Sequence, residues 1–449
     1  MTAQAFLQAL LEQAKGRGLA DCEAYLSQTD SFRVSAYEGK VDEYSVSATQ
    51  GVGFRALVGG RMGYAYSEVM DEEAISMLLD GACESAALLE DDDPQLLFAG
   101  ATSYPELPAT YDEDLARLPA QDKIQMALDL EAAAKAASPK VRAVDGATVS
   151  SISGSVRIVN SRGLDLSDRS NLILAYLSPI VEEKGRSYDV FGYRLSQRAD
   201  LDIAGLAQET VQRTLARIDA APVKSGVYTL ILDPESMATL LETFASVFSA
   251  RQVQKGLSLL RGKLGEAIAS PVVTLLDNPH LPGGFASSAF DSEGVPTQKK
   301  AVIQKGVLTT YLHNLSTAQK DGMASTGNAS RSFKGRVGVS PTNFYLQPGS
   351  KDLPALMAEV GEGILVQDLM GMHAGANAVS GDFSLLFKGF TIENGQLGRP
   401  VEQVTLAGNF FDFLRRITAV GSDLAFTLPG SGCFGSPSVV VPDVMVAGE

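Results

Sequence analysis

Phe6, Leu7, Leu10, Leu11 and Ala14 recur at helical spacing, and Gly16 and Gly18 end the run. The chain is therefore expected to open with an amphipathic helix. From Glu23 to Tyr66 the period changes to two. Phe32, Val34 and Ala36 alternate with Arg33 and Ser35, Glu38-Gly39-Lys40 reads as a turn, and Tyr44, Val46 and Ala48 resume the alternation. Gly59-Gly60 supplies a second hairpin turn before Met62, Tyr64 and Tyr66. Asp71 is placed to cap a helix whose buried face is Ile75, Leu78, Leu79, Ala82, Cys83 and Ala86.

Asp91-Asp92-Asp93-Pro94 breaks that helix, and the aperiodic stretch 91–110, with Pro105 and Pro108, reads as a linker. An Ala-rich helix from about Asp122 to Ala137 follows, stopped by Ser138-Pro139. Strands Val156–Val159 and Leu164–Leu166 flank the turn Ser161-Arg162-Gly163, and a hairpin covers roughly Asn171 to Leu195. A helix from Asp202 to Ile218 closes this region before the boundary Ala220-Ala221-Pro222.

Beyond it, Val227–Leu232 reads as a buried strand. Asp233-Pro234 gives an N-cap with proline in the first helical turn. Leu240, Leu241, Phe244, Val247 and Phe248 supply the next helix face. Short strands and Gly turns follow, with helices at Leu353–Gly361 and Phe410–Arg416 and a last strand at Ser438–Val441. The fold class is α+β. Three domains are expected: an N-terminal helix and antiparallel-sheet domain over 1–90, a middle α+β domain over 111–218, and a strand-rich C-terminal domain with antiparallel sheet over 222–449.

Charge narrows the function. Lys plus Arg number 37 against 53 Asp plus Glu, a net charge of −16, which argues against nucleic acid or an anionic membrane as partner. Cys22, Cys83 and Cys433 form no CxxC, no signal-peptide pattern precedes them, and no apolar run approaches a membrane span. A cytoplasmic protein is expected.

Most motif tests fail. Gly430-Ser-Gly432-Cys-Phe-Gly435 matches GxGxxG, but strand-type residues follow it where a dinucleotide site needs a helix. P-loop and GxSxG patterns are absent. His280, His313 and His373 have no metal-ligand spacing. Asp291, Glu293 and Asp382 are carboxylates beside Gly turns, where turn chemistry already accounts for them.

Longer phrases carry more. Gly51-Val-Gly-Phe-Arg-Ala56 with Gly59-Gly-Arg-Met-Gly-Tyr-Ala65, then Phe290-Asp-Ser-Glu-Gly-Val-Pro-Thr297, Ser325-Thr-Gly-Asn-Ala329, Gly381-Asp-Phe-Ser384 and Gly389-Phe-Thr-Ile-Glu-Asn-Gly395 occur in the order found in the TldD/PmbA family, which the chain resembles over nearly its whole length. In that family the TldD type carries HExxxH, with its two His as metal ligands and Glu as general base, and a Cys in a C-terminal Gly-rich turn. This sequence has no HExxxH. Glu242, Thr243 and Val247 stand where its three residues would be, and Cys433 lies near the place of the family cysteine.

The chain therefore resembles the PmbA (TldE) type, known as a modulator of DNA gyrase. The resemblance implies a subunit of a cytoplasmic metalloprotease with no catalytic residue or metal of its own. Zinc belongs to a TldD-type HExxxH partner, in a heterodimer or with a second copy as homodimer. The substrate is unfolded peptide, in peptide maturation, antitoxin turnover and indirect modulation of gyrase inhibition. His313, Asn328, His373 and Asp382 are the candidates for contact with peptide or partner. The alternatives from other classes are a self-sufficient non-metal hydrolase acting as a homodimer and a peptide-binding adaptor without catalysis.

Overall fold

The computed structural model describes residues 1–88 and 93–449. Residues 89–92, with most of the acidic run and the expected domain end at 90, lie outside the described residues.

Helix α1 (Ala3–Gly16) leads into an antiparallel meander of β1 (Cys22–Tyr37), β2 (Lys40–Val58) and β3 (Arg61–Ser67). Both hairpin turns take positive φ at their two central residues, Glu38-Gly39 and Gly59-Gly60, which suits the right-handed strand twist. Helix α2 (Glu72–Leu88) follows, capped by Asp71 Oδ1, which accepts from Ala74 N at 2.8 Å. After a short α3 (Glu113–Arg117) and the long α4 (Ala120–Ala137) come β4 (Val141–Asn160) and β5 (Asp165–Glu183), then β6 (Arg186–Asp189), β7 (Gly192–Ser196) and α5 (Ile203–Leu215).

The central pairing joins distant parts of the chain. β1 lies antiparallel to β4 from Glu23 opposite Asn160 to Ala36 opposite Ala147, so one sheet runs β3-β2-β1-β4-β5-β6, with β7 on β5. It crosses the boundary between the expected first and middle domains without a break. The even residues at the two ends of β1 face the helices: Cys22, Ala24 and Leu26 pack in the core beneath α1 and α2, and Phe32, Val34 and Ala36 in the core beneath α4 and α5, while Gln28 and Asp30 between them are exposed. The odd residues Glu23 and Tyr25 are turned toward the C-terminal unit, where Tyr25 packs near Phe290.

In that unit β8 (Gly226–Leu232) feeds α6 (Pro234–Phe244), whose cap is Asp233 Oδ1 accepting from Ser236 N at 2.9 Å. Met237, Leu240, Leu241 and Phe244 of α6 pack into the core shared by two sheets. One sheet orders Val307–Leu308, Lys300–Gln304, Leu275–Asp277, Asn343–Leu346, Cys433–Ser436 and Ala425–Phe426. The other orders Gln396–Asn409, Asp382–Glu393, Gly363–Met370, β8, Val439–Ala447 and Ala419–Val420. Pairing of Thr405 with Ala447 and Leu406 with Val446 closes this second sheet on itself.

Local expectations differ from the structure in several places: the strand at Leu164–Leu166 and the first arm of the hairpin from Asn171 are one strand, β5, and the helix expected to reach Ile218 ends at Leu215. The α-helix after Asp233 stops at Phe244, and Ala245–Phe248 tightens into a 3-10 turn that directs Val247 and Phe248 into the same core. The last strand does not end at Val441. The register shifts between Val441 and Val444, Asp443 takes φ 57°, and the strand continues past Pro442 to Ala447. Among the described residues, no helix is long and apolar enough to cross a membrane.

Candidate functional site

Three segments of the C-terminal unit, around residues 285–297, 327–342 and 429–432, face Tyr25, Val156 and Ile158 of the large sheet. Between them lies an open cavity of about 320 Å³. Small residues make this approach possible. At Gly432 a Cβ would sit 2.9 Å from the Pro341 carbonyl oxygen, and at Gly327, where φ is +70°, 2.8 Å from that of Pro296.

The cavity wall is held by a buried polar network centred on Asp277. Its Oδ1 accepts from Thr342 N at 2.7 Å and Thr342 Oγ1 at 2.8 Å. Its Oδ2 accepts from Lys300 Nζ at 2.7 Å and Asn328 Nδ2 at 2.8 Å. Asn328 also donates to the Ser340 carbonyl at 3.1 Å, and its Oδ1 accepts from Lys300 Nζ at 3.0 Å and Thr326 Oγ1 at 2.7 Å. Every hydrogen-bonding position of this amide is engaged, so Asn328 shapes the wall as a fixed piece.

Asp291 forms another part of the wall. Its Oδ1 accepts from Glu293 N and Val295 N, and its Oδ2 accepts from Ala329 N at 2.9 Å, tying two of the segments together. Burial, followed by the neighbouring charge of Glu293, pushes its carboxyl up to about 7. Thr297 faces the same cavity. Its Oγ1 donates to the Ser288 carbonyl at 2.5 Å and lies 3.0 Å from His280 Nε2.

The sequence-selected residues fall into separate places. Asn328 lines the cavity. His313 adjoins it through the backbone, its carbonyl accepting from Asn328 N at 3.3 Å, but its ring is fully buried and does not line the cavity. Burial lowers the pKa of that ring below the ordinary histidine value. His373, in the short helix Met372–Gly375, and Asp382, at the start of a barrel strand, are exposed and line no part of the cavity. Asp382 Oδ1 accepts from Asn409 Nδ2 at 2.9 Å; this bond and the Ser380 side chain hold its carboxyl below the usual range.

The sequence reading missed Tyr25, Ser288, Thr297 and the Gly430–Gly432 turn as cavity residues. The available signal was clustering: the phrases Phe290–Thr297 and Ser325–Ala329 and the GxGxxG turn all converge here.

The positions where the resemblance places a metal do not make a ligand set. Val247 has no donor atom and is buried in the core. Thr243 Oγ1 is spent on the Thr239 carbonyl at 2.8 Å. Cys433 is fully buried in a strand, and burial pushes its thiol up to about 11, so it keeps its proton at neutral pH. Glu242, whose carboxyl burial raises, remains as the one ordinary oxygen ligand. Zinc needs three or four such donors. Among the described residues, no group of three or more His, Cys, Asp or Glu is placed to hold a metal ion.

Comparison with known proteins gives three adjacent family matches: PmbA/TldA metallopeptidase domain 1 over residues 22–86, the central domain over 113–218 and the C-terminal domain over 225–448. The metalloprotease PmbA of Escherichia coli O157:H7 is 28% identical over 447 residues, covering 98% of this chain and 94% of that protein. A Thermotoga maritima crystal structure, named as a proposed modulator of a DNA gyrase, is 32% identical with a TM-score of 0.90, covering 99% of this chain and 100% of that one. The structure of TldE from Thermococcus kodakarensis shares the fold, with a TM-score of 0.89 at 22% identity over 99% of this chain and 100% of that one.

Proposed function

The chain belongs to the PmbA/TldD metallopeptidase family as a PmbA/TldE-type member, and from that premise we propose that it is the metal-free subunit of a two-chain cytoplasmic peptidase. A TldD-type chain bearing HExxxH supplies zinc, which polarises the scissile carbonyl and activates water. This chain completes the enclosure and holds unfolded peptide in the cavity between its sheet and its C-terminal loops. Peptide maturation and antitoxin turnover are the roles that follow, with the effect on gyrase inhibition indirect and no nucleic acid or membrane involved.

The observation that carries this reading is the donor set at the family's metal positions, where Thr243 and Val247 supply nothing to a metal and Cys433 is a buried thiol. The cavity supports the substrate class. Its wall is rich in glycine and serine, and backbone-rich walls suit sequence-tolerant binding of extended chain. Asn328 takes the substrate-side role, and the exposed His373 and Asp382 take the partner-side role.

The test is reconstitution. The purified chain with added zinc should leave an unfolded peptide intact, and an equimolar mixture with a TldD-type subunit should cleave it. Asn328→Ala in this chain should lower turnover by the mixture. Cleavage by the isolated chain after exhaustive chelation would replace this reading with a self-sufficient hydrolase. Peptide binding without cleavage in any pairing would replace it with an adaptor.

A further inference from the structure

The face of the first sheet that meets the C-terminal unit carries a second cavity. Tyr25, Gly53 and Tyr66 stand side by side across β1, β2 and β3, and Glu23, Arg55 and Tyr64 form a neighbouring row. Directly opposite residues project from the same face. Gly53 leaves a gap between two tyrosines, and the loop 331–335 passes over it, the Phe333 carbonyl oxygen 2.3 Å from where a Gly53 Cβ would lie. Beneath the loop a cavity of about 180 Å³ remains, lined by Tyr25, Tyr64, Tyr66 and Phe333. Among the described residues, Tyr25 alone is shared with the lining of the larger cavity described above.

The charge of this cavity is opposite to that of the chain. Arg55, Arg331 and Lys334 line it, and among the described residues no Asp or Glu does, in a protein of net charge −16. The two arginines are deeply set, each side chain 4% exposed. Both donate to one carboxylate oxygen, Glu23 Oε1, and Arg55 Nη1 reaches Glu293 Oε1 at 3.3 Å. These acids do not use up the donors. Arg55 Nη2 and Arg331 Nε are buried and have no hydrogen-bond partner among the described residues. A buried N–H on a charged group is costly to leave unmade, so two such donors on residues lining one cavity favour an oxyanion within it.

We infer that this cavity binds a small carboxylate anion with an aromatic body. Its carboxylate accepts from Arg55 and Arg331, whose planar guanidinium groups match carboxylate geometry. Its ring packs against Tyr66 and Phe333, themselves edge to face at 6.1 Å between centroids. Inorganic anions would satisfy the arginines and leave these rings uncovered. The cavity is well below the roughly 300 Å³ of a pocket for a drug-sized molecule, which limits the ligand to about one ring. Lys334, 51% exposed and paired with Glu68 at 2.6 Å, stands at the mouth and adds positive field there. The inference concerns this chain alone and does not rest on the peptidase reading.

Titration calorimetry on the full chain tests it, with phenylacetate as the probe. Phenylacetate should bind at one site with a Kd below about 1 mM, and the neutral phenylacetamide and inorganic phosphate should each bind about tenfold more weakly or not at all. Arg331→Lys keeps the charge beside Glu23 but lacks the planar fork, and should weaken phenylacetate about tenfold. Tyr66→Ala removes one wall at a position that is 49% exposed, and should weaken it about fivefold. This second variant keeps the test decisive if Arg331→Lys folds poorly. No saturable heat up to about 10 mM phenylacetate would overturn the inference. So would binding that neither variant changes, which places the ligand elsewhere. Phosphate binding as tight as phenylacetate would replace the aromatic acid with a plain anion. Binding of N-acetylphenylalanine much tighter than of phenylacetate would replace the free acid with the carboxylate end of a peptide.

Discussion

Arg331, on a loop of the C-terminal unit, donates to Glu23 of the first sheet at 2.6 Å, and both side chains are almost wholly buried. Arg55 reaches the same Glu23 oxygen at 2.9 Å and also contacts Glu293 at 3.3 Å, so one ionic cluster spans the two halves of the molecule. Arg331 also stacks over Tyr25, 4.5 Å from the ring centroid, and Tyr25 lines the cavity. Arg331→Ala should destabilise the fold by about 3 kcal/mol, the lower end for breaking a buried pair, because Arg55 still faces Glu23. Urea unfolding measures this. A cost within experimental error would mean that the cluster does not join the halves. Burial pushes the Glu23 carboxyl up, but Arg55 and Arg331 outweigh it and hold its pKa below the ordinary value. Its contribution is present above the unfolded pKa of about 4.3 and should be lost as pH falls through the folded value.

Asp291 works in the opposite direction. Its pKa is raised by burial and by Glu293 to about 7, so folding favours the protonated carboxyl. That contribution is full below the unfolded pKa of about 3.9 and is lost as pH rises to about 7. Asp291→Asn should flatten the stability profile across this window. It should also lower stability by about 1–3 kcal/mol, because the amide cannot accept from Glu293, Val295 and Ala329 together. Denaturation midpoints at pH 5 and pH 8 for both proteins decide it. An unchanged pH slope in the variant would assign the titration to another group.

The local features of the fold were legible because they depend on neighbours in sequence. The turns at Glu38-Gly39 and Gly59-Gly60, the cap at Asp233 and the helix Phe410–Arg416 all stand where periodicity and turn chemistry put them. The pairing of β1 with β4 was not legible, since a strand's period does not name a partner more than a hundred residues away. The ionic cluster was hidden for a related reason. Glu23 and Arg55 occupy the polar phase of their strands, which reads as solvent-facing until the C-terminal unit covers that face. Asn328 was reached through a phrase of residues, but its bonding to Asp277 and Lys300 exists only after long-range folding.

That bonding makes Asn328→Asp informative. The new carboxylate would stand where an N–H now donates to Asp277 at 2.8 Å. Lys300 would be shared between two buried acids, and the loss should be about 3 kcal/mol at neutral pH. Mild acid should recover part of it, because the introduced carboxyl, once protonated, can donate to Asp277. Thermal melts of wild type and variant from pH 5 to pH 8 follow this, and a pH-independent deficit would show that steric fit, not charge, is what Asn328 provides.

The loop carrying Arg331 is seated on glycine. A Cβ at Gly53 would lie 2.3 Å from the Phe333 carbonyl oxygen, and one at Gly51 would lie 2.2 Å from the Phe333 ring. These two contacts differ in what can yield. The ring at Gly51 can rotate about its own side-chain bonds, whereas relieving Gly53 requires the loop backbone to lift from β2 and takes Arg331 with it. Gly53→Ala should therefore cost about 1–3 kcal/mol and Gly51→Ala less. Gly53→Ala should also expose the 331–336 segment to limited proteolysis and lower peptide turnover in the reconstituted pair, since the cavity wall at Tyr25 loses its stacked arginine. Equal costs for the two alanines, with the loop still resistant to protease, would mean that the loop adjusts in place and that its seat on β2 does not control the cavity.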